Sequence, residues 1–203
     1  MDFDRIDRIR KGGHVKRYHT HQCHHPGTVA DHSWFVAWLA GELWRAAYKT
    51  SEAPTIIYRY ALEHDLAEFD TGDAPGWAKA AWKSMREGPR EVEDKRTVEL
   101  ELHQPDEITR SFVKAADQLD VLFWALEERR MGNANALIIF VRTSIQMRRW
   151  LETDIDTDLF KAVREVRRDL IYEMRKLDPD AWYRTFTQVE EHEDYYSKLG
   201  ATV

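Results

Sequence analysis

The segment His64-Asp65-Leu66-Ala67-Glu68 carries the strongest local chemical signal in the chain. An imidazole and a carboxylate at adjacent positions can reach one cation together. On a helix, Glu68 falls four residues from His64 and three from Asp65 and shares their face. One element thus offers two ligands and a carboxylate beside them. His32 stands in Ala30-Asp31-His32-Ser33-Trp34, and Asp117 in Ala115-Ala116-Asp117, both on periodic stretches with apolar faces. Singly, such residues serve structural ends: a His on an apolar helix is mostly a satisfied core residue, and an isolated Asp a cap or surface charge. The set of two His and two Asp reads differently, because buried carboxylates are costly without a partner. Mixed nitrogen and oxygen donors suit Zn, Mn, Fe, Co or Ni rather than Mg or Ca alone.

The elements that must position these residues are helices. Glycine and proline are scarce, at 9 and 6, and fall between long periodic stretches with little strand alternation. A first helix is expected from Asp2 to Lys11, ending at Gly12-Gly13, followed by a polar, His-rich ordered loop over residues 12–28. A second is expected from Val29 to Tyr48. A third runs from Thr55 to Glu68 or Phe69, opened by Pro54 and closed by the turn Thr71 to Pro75. A short helical piece follows around Trp77 to Met85. Gly88-Pro89 punctuates, and the charged run Arg90 to His103 predicts an exposed helix. Pro105-Asp106-Glu107 starts a long helix that reaches Met131. Others cover Ala134 to Leu151 and Thr157 to Lys176, and Pro179 opens a final piece.

With 203 residues, 43% of them apolar, the chain can build one core, and a wholly disordered chain is excluded. Its formal net charge of −6 argues against a nucleic-acid coat, which needs a basic surface. A lone Cys23 excludes an internal disulfide. No apolar run, Ala136 to Val141 among them, approaches the ~18 residues of a membrane helix. The N-terminus, MDFDRIDRIRKGG, lacks the apolar stretch of a secretory signal. The expectation is one all-α domain over residues 1–203, a bundle of seven or more helices, soluble and cytoplasmic, without membrane or stable nucleic-acid partner.

His32…His64-Asp65…Asp117 resembles the metal signature of the HD-domain phosphohydrolases. Ala30-Asp31-His32-Ser33-Trp34 resembles the first block of the YfbR-like 5′-deoxynucleotidases, where Glu is usual at the Asp31 position. His64-Asp65-x-x-Glu68-x-x-Thr71-Gly72-Asp73-x-Pro75, with Lys79 following, resembles their second. Lys114-x-x-Asp117 with Leu126-Glu127-Glu128…Gly132-Asn133 resembles their third. Arg17-Tyr18, with Arg17 fifteen residues before His32, falls where that group has an Arg-Trp pair. The likeness covers about residues 5–150, and the Thr-Gly-Asp block joined to the His-Asp doublet is its specific part. Phage dATP triphosphohydrolases of the DatZ type share most of these positions.

The resemblance implies a single HD-domain helical bundle. It implies a divalent transition metal, Zn, Co or Mn, held by His32, His64, Asp65 and Asp117, with additional Mg accompanying a triphosphate. Glu68 would exchange a proton with the attacking water or the leaving oxygen, and Asp73 would orient the water or bind the sugar hydroxyl. Arg17, Lys79 and Lys114 would supply positive charge to the phosphate, with Arg110 on the Lys114 face. Tyr18 would stack on a base, and Trp77, beside the Thr71–Pro75 turn, would approach the substrate. The His19–His25 segment has donors enough for a separate zinc site but no pair at structural-zinc spacing. It reads better as a lining of the substrate pocket.

The function implied is hydrolysis of dATP to deoxyadenosine and triphosphate, with location in the host cytoplasm for a phage-encoded chain. The alternative is a 5′-deoxynucleotidase that cleaves a deoxynucleoside monophosphate. Of another class is an inactive HD module that binds nucleotides for regulation, against which the intact ligand set and the retained Glu68 and Asp73 count. A cyclic-nucleotide or RNA phosphodiesterase is disfavoured by the single ligand set and the acidic charge. A deoxynucleotide is the expected partner, and homo-oligomers are the family's habit.

Overall fold

The structure, a computed structural model, describes residues 2–72, 83–153 and 156–198. Among these, eight α-helices follow one another: α1 Phe3–Gly12, α2 Val29–Tyr48, α3 Thr55–Glu63, α4 Lys83–Glu99, α5 Glu107–Arg130, α6 Ala136–Leu151, α7 Thr157–Leu177 and α8 Pro179–Lys198. A 3-10 turn, Leu66–Phe69, follows α3. The described residues form no β-strand; one isolated antiparallel bridge joins Lys16 to Thr28. The all-α expectation and its count of seven or more helices hold.

Local chemistry sets most boundaries. Asp2 caps α1 by accepting from the N–H groups of Asp4 and Arg5, and Asp156 caps α7 through those of Asp158 and Leu159. Helix α5 ends where Gly132 takes a φ of 97°. There Asn133 N–H reaches back to Glu128 O and Gly132 N–H to Arg129 O, a Schellman closure that needs a left-handed residue.

Three expectations are corrected. The third helix stops at Glu63 rather than Glu68 or Phe69. Asp65, with φ −105° and ψ 1°, leaves the helical region, and the chain tightens into the 3-10 turn. The reason is burial: Leu66 and Ala67 must reach a cluster with Leu100 and Leu102, backed by Ile9 and Phe69. Secondly, Gly88-Pro89 does not punctuate, for Pro89 lies inside α4. A proline there forfeits one ladder bond, a cost of about 3 kcal/mol relative to Ala, which the long-range contacts of α4 offset. Thirdly, the charged run does not stay helical and exposed to His103. Glu101, at φ 50°, closes α4 with bonds from Leu102 N–H to Thr97 O and Glu101 N–H to Val98 O. Leu100 and Leu102 are thereby turned inward, 1% and 9% exposed.

The chain forms two compact units, residues 1–41 with 54–113, and 42–53 with 114–203. In the first, α1, α3 and α4 pack on the 3-10 turn. Gly12 lets α1 lie close against the turn, since a β-carbon there would stand 2.9 Å from Leu66 O. In the second, α6, α7 and α8 pack together around Phe140, Ile145, Leu159 and Met174. Trp182 meets Phe140 edge-on with ring centroids 6.0 Å apart. The final piece opened by Pro179 is thus a 20-residue helix, α8. No helix of the described residues is long and apolar enough to cross a membrane.

Candidate metal centre

His32 enters the site on the first turn of α2. Thr28 and Asp31 form a reciprocal capping box there. Thr28 N–H and Oγ1–H donate to Asp31 Oδ2 at 3.0 and 2.7 Å, and Asp31 N–H returns to Thr28 Oγ1 at 3.3 Å. The hydroxyl and the backbone bonds of Thr28 hold the Asp31 carboxyl below its ordinary range. The bond from His32 N–H to Thr28 O, 3.1 Å, belongs to the same first turn. Asp31, a Glu in the resembled family, is therefore part of the helix start that orients His32.

His64 caps the C-terminus of α3, and its Nδ1 lies 2.7 Å from Ala61 O. That contact requires Nδ1 to carry the proton, which leaves a lone pair on Nε2, the usual arrangement of a metal-binding imidazole. Nε2 of His64 stands 3.3 Å from Nε2 of His32. Asp65 brings Oδ1 to 3.4 Å from His64 Nε2 and Oδ2 to 3.5 Å from His32 Nε2. Tetrahedral bonds of 2.0–2.1 Å to zinc imply donor–donor edges of about 3.3–3.4 Å. The three side chains, gathered within 4.8 Å among the described residues, fit a transition-metal ion by spacing, tautomer and donor type. His32 is buried and His64 nearly so, with side-chain exposures of 2% and 11%.

Arg17 joins the same place. It is 8% exposed, and its guanidinium donates from Nη1 to Asp65 Oδ2 at 3.0 Å. The loop carrying it is pinned to the start of α2: Arg17 N–H bonds Gly27 O at 3.0 Å and Val29 N–H bonds Val15 O at 2.9 Å. Tyr18 sits under the guanidinium, its ring centroid 5.6 Å from Arg17 Cζ, at a left-handed φ of 57°. In the same loop, burial first and His19 second push the His21 imidazole below its ordinary range.

Of the remaining expected residues, the structure describes Glu68, Asp117, Lys114 and Arg110. Glu68 is buried, 7% exposed, on the 3-10 turn that begins after Asp65. Residues three apart eclipse in such a turn, which keeps Glu68 in register with Asp65. Asp117, half-buried, and Lys114, exposed, stand on α5 in the second unit. The Lys114 ammonium lies 4.8 Å from the Trp150 ring centroid. Arg110 is exposed on α5. Asp73, Trp77 and Lys79 lie outside the described residues. Sequence reasoning passed over two groups that shape the site. Thr28 carried a readable signal, since Thr-x-x-Asp before an apolar run is a capping pattern. Ala61 acts through its carbonyl, which has no side-chain signature.

A helical fold that gathers a His and an adjacent His-Asp pair at one point defines the HD-domain phosphohydrolases as the class. The chain belongs to the 5′-deoxynucleotidase YfbR-like family, whose model matches residues 5–162. Among individual relatives, a dATP triphosphohydrolase of Cyanophage S-2L is 36% identical over 69 residues, 34% of this chain. The match spans 39% of that relative's length. The Cyanophage S-2L HD phosphohydrolase DatZ, solved with dA and one catalytic Zn2+ ion, superposes with a TM-score of 0.65 at 24% identity, covering 82% of this chain and 96% of that one. An HD-domain phosphohydrolase from Listeria innocua superposes at 0.68 with 19% identity, covering 91% and 98%. These two are likenesses of fold.

Proposed function

We propose that this phosphohydrolase is metal-dependent and acts on deoxynucleotides, hydrolysing dATP to deoxyadenosine and triphosphate. The observation that carries the reading is the convergence of His32 Nε2, His64 Nε2 and the Asp65 carboxylate at 3.3–3.5 Å, with His64 fixed in the ligand tautomer by Ala61 O. The resemblance supports Asp117 as the fourth ligand, and the mixed donor set favours Zn, Co or Mn, with Mg accompanying the triphosphate. A divalent cation held by these residues would supply Lewis acidity toward a phosphoryl oxygen and ease the loss of a proton from water near neutral pH.

The chain's own residues do the rest. Arg17, already seated on Asp65, turns its remaining N–H groups to the phosphate and stabilises charge on it in the transition state. A water oxygen attacks the α-phosphorus and the bond to the 5′ oxygen breaks. Glu68 takes a proton from the water and returns one to the 5′ oxygen, which leaves as the deoxynucleoside hydroxyl. Asp73 orients the water or the sugar. Lys79 and Lys114 add positive charge around the phosphates, and Tyr18 and Trp77 offer faces to the base. In this reading the enzyme works in the cytoplasm as a homo-oligomer.

The relative from Cyanophage S-2L favours the triphosphate. The family's description favours a second reading, cleavage of a deoxynucleoside monophosphate to deoxynucleoside and phosphate. Metal-stripped and metal-loaded protein incubated with dNTPs, dNMPs and cyclic nucleotides, with products resolved by chromatography, separates them. Deoxyadenosine and triphosphate from dATP support the first reading. Cleavage of monophosphates alone supports the second, and tight binding without turnover points to a regulatory module.

A further inference from the structure

Glu68 rides on a turn that cannot hold itself. Leu66–Phe69 is four residues long, and its i→i+3 bonds have poorer geometry than those of an α-helix. Glu68 N–H reaches Asp65 O at 3.1 Å, and Glu68 O receives the N–H groups of Thr71 and Gly72 at 3.1 and 2.7 Å. The direction of the Glu68 side chain therefore depends on what grips the turn from outside.

Two helices do so. On one side α1 presses on Leu66 through Gly12. On the other, α4 holds each of the three residues that follow Glu68. The Arg96 guanidinium lies over the Phe69 ring, 5.4 Å from its centroid. Its Nε donates to Asp70 and its Nη1 to Glu99. Glu93, one turn earlier, accepts from Thr71 Oγ1 at 3.1 Å. Glu99 also pairs with Arg8 of α1 at 3.7 Å, which ties the two gripping helices to each other.

We infer that Arg96 is a positioning residue for Glu68: it clamps Phe69 and Asp70 so that the carboxylate keeps the direction proton transfer needs. The inference rests on the reading of Glu68 as the proton-transfer group. A planar guanidinium can stack on the ring while its fork serves two carboxylates, which a lysine ammonium cannot reproduce. The Arg96 and Asp70 side chains are 26% and 31% exposed, so their pairing adds little to global stability. Its effect falls instead on geometry, where a displacement near 1 Å can cost about 10²-fold in rate.

The test compares Arg96→Ala, Arg96→Lys, Glu68→Gln and the double variant Arg96→Ala/Glu68→Gln. The readouts are kcat on the nucleotide that the parent cleaves, bound metal, melting temperature and amide hydrogen exchange over residues 65–72. Arg96→Ala should lower kcat by about 10- to 100-fold with metal content unchanged, and should speed exchange at Thr71 and Gly72. Arg96→Lys should recover part of the loss and serves alone if the alanine variant does not fold. The double variant should be no slower than Glu68→Gln, since a residue acting through Glu68 has nothing left to act on. Parental exchange in both Arg96 variants overturns the clamp. So does a double variant in which the two losses multiply, or a kcat loss that tracks loss of metal or of folded protein. If the parent hydrolyses no nucleotide, faster exchange in the Arg96 variants upholds the clamp and sinks the functional reading instead.

Discussion

Replacing His64 by alanine separates two accounts of the ring. In one, His64 Nε2 accepts a hydrogen bond from His32 Nε2–H, and the pair is a core contact. In the other, both Nε2 lone pairs face a cation. The 3.3 Å separation serves either, but the energetic consequences differ. A ligand present at 100 times its dissociation constant stabilises the folded state by about 2.7 kcal/mol. A chain of this length shifts by about 2–4 °C per kcal/mol, so the parent should gain about 5–11 °C with Zn2+. His64→Ala removes one of three gathered donors and should lose that gain. If the ring is only a core contact, Zn2+ moves neither protein. The variant then melts about 4–8 °C lower, the worth of two lost hydrogen bonds, to Ala61 O and from His32, of about 1 kcal/mol each. Scanning calorimetry of metal-stripped protein with stepwise Zn2+ decides between them. A parent indifferent to Zn2+, or a His64→Ala variant that keeps the full shift, refutes the metal centre.

Glu68→Gln should retain bound metal and slow hydrolysis by roughly 10²–10⁴-fold, as removal of a positioned acid or base does; single-turnover rates with metal analysis check it. Arg17→Lys keeps the charge beside Asp65 but loses the fork. Metal content should hold while kcat falls and KM rises, and kinetics equal to the parent would remove Arg17 from the site. Gly41→Ala places a β-carbon 2.5 Å from Tyr58 Oη, so urea denaturation should show a loss of about 1–3 kcal/mol from overpacking, relieved in a Tyr58→Ala background. Bonds from Thr109, the backbone N–H first, hold the Asp106 carboxyl below its ordinary range. Its contribution is therefore full above the unfolded value and lost as pH falls through the folded one. Asp106→Asn should flatten the acid limb of a stability–pH profile, and an unchanged limb would show that the cap does not titrate with folding.

The chemistry of the site was legible in order and type: a His, a His-Asp doublet and an Asp are as visible in a string as in space. So were the starts of α2, α5 and α7, because caps such as Asp106 and Asp156 act on N–H groups two or three residues away. What local spacing could not reach was decided over long separations. The third helix breaks at His64 because Leu66 and Ala67 are drawn to Leu100, Leu102 and Ile9, more than thirty residues away in sequence. That break puts Glu68 on a separate 3-10 turn rather than on the helix that leads to His64. Arg17, expected to meet phosphate, meets Asp65 across 48 positions, and Arg96 meets Asp70 across 26. A side chain's type and its place on a helix face are properties of a few neighbouring residues. The partner it finds is set by which apolar surfaces must be buried together, and only the folded chain brings those together.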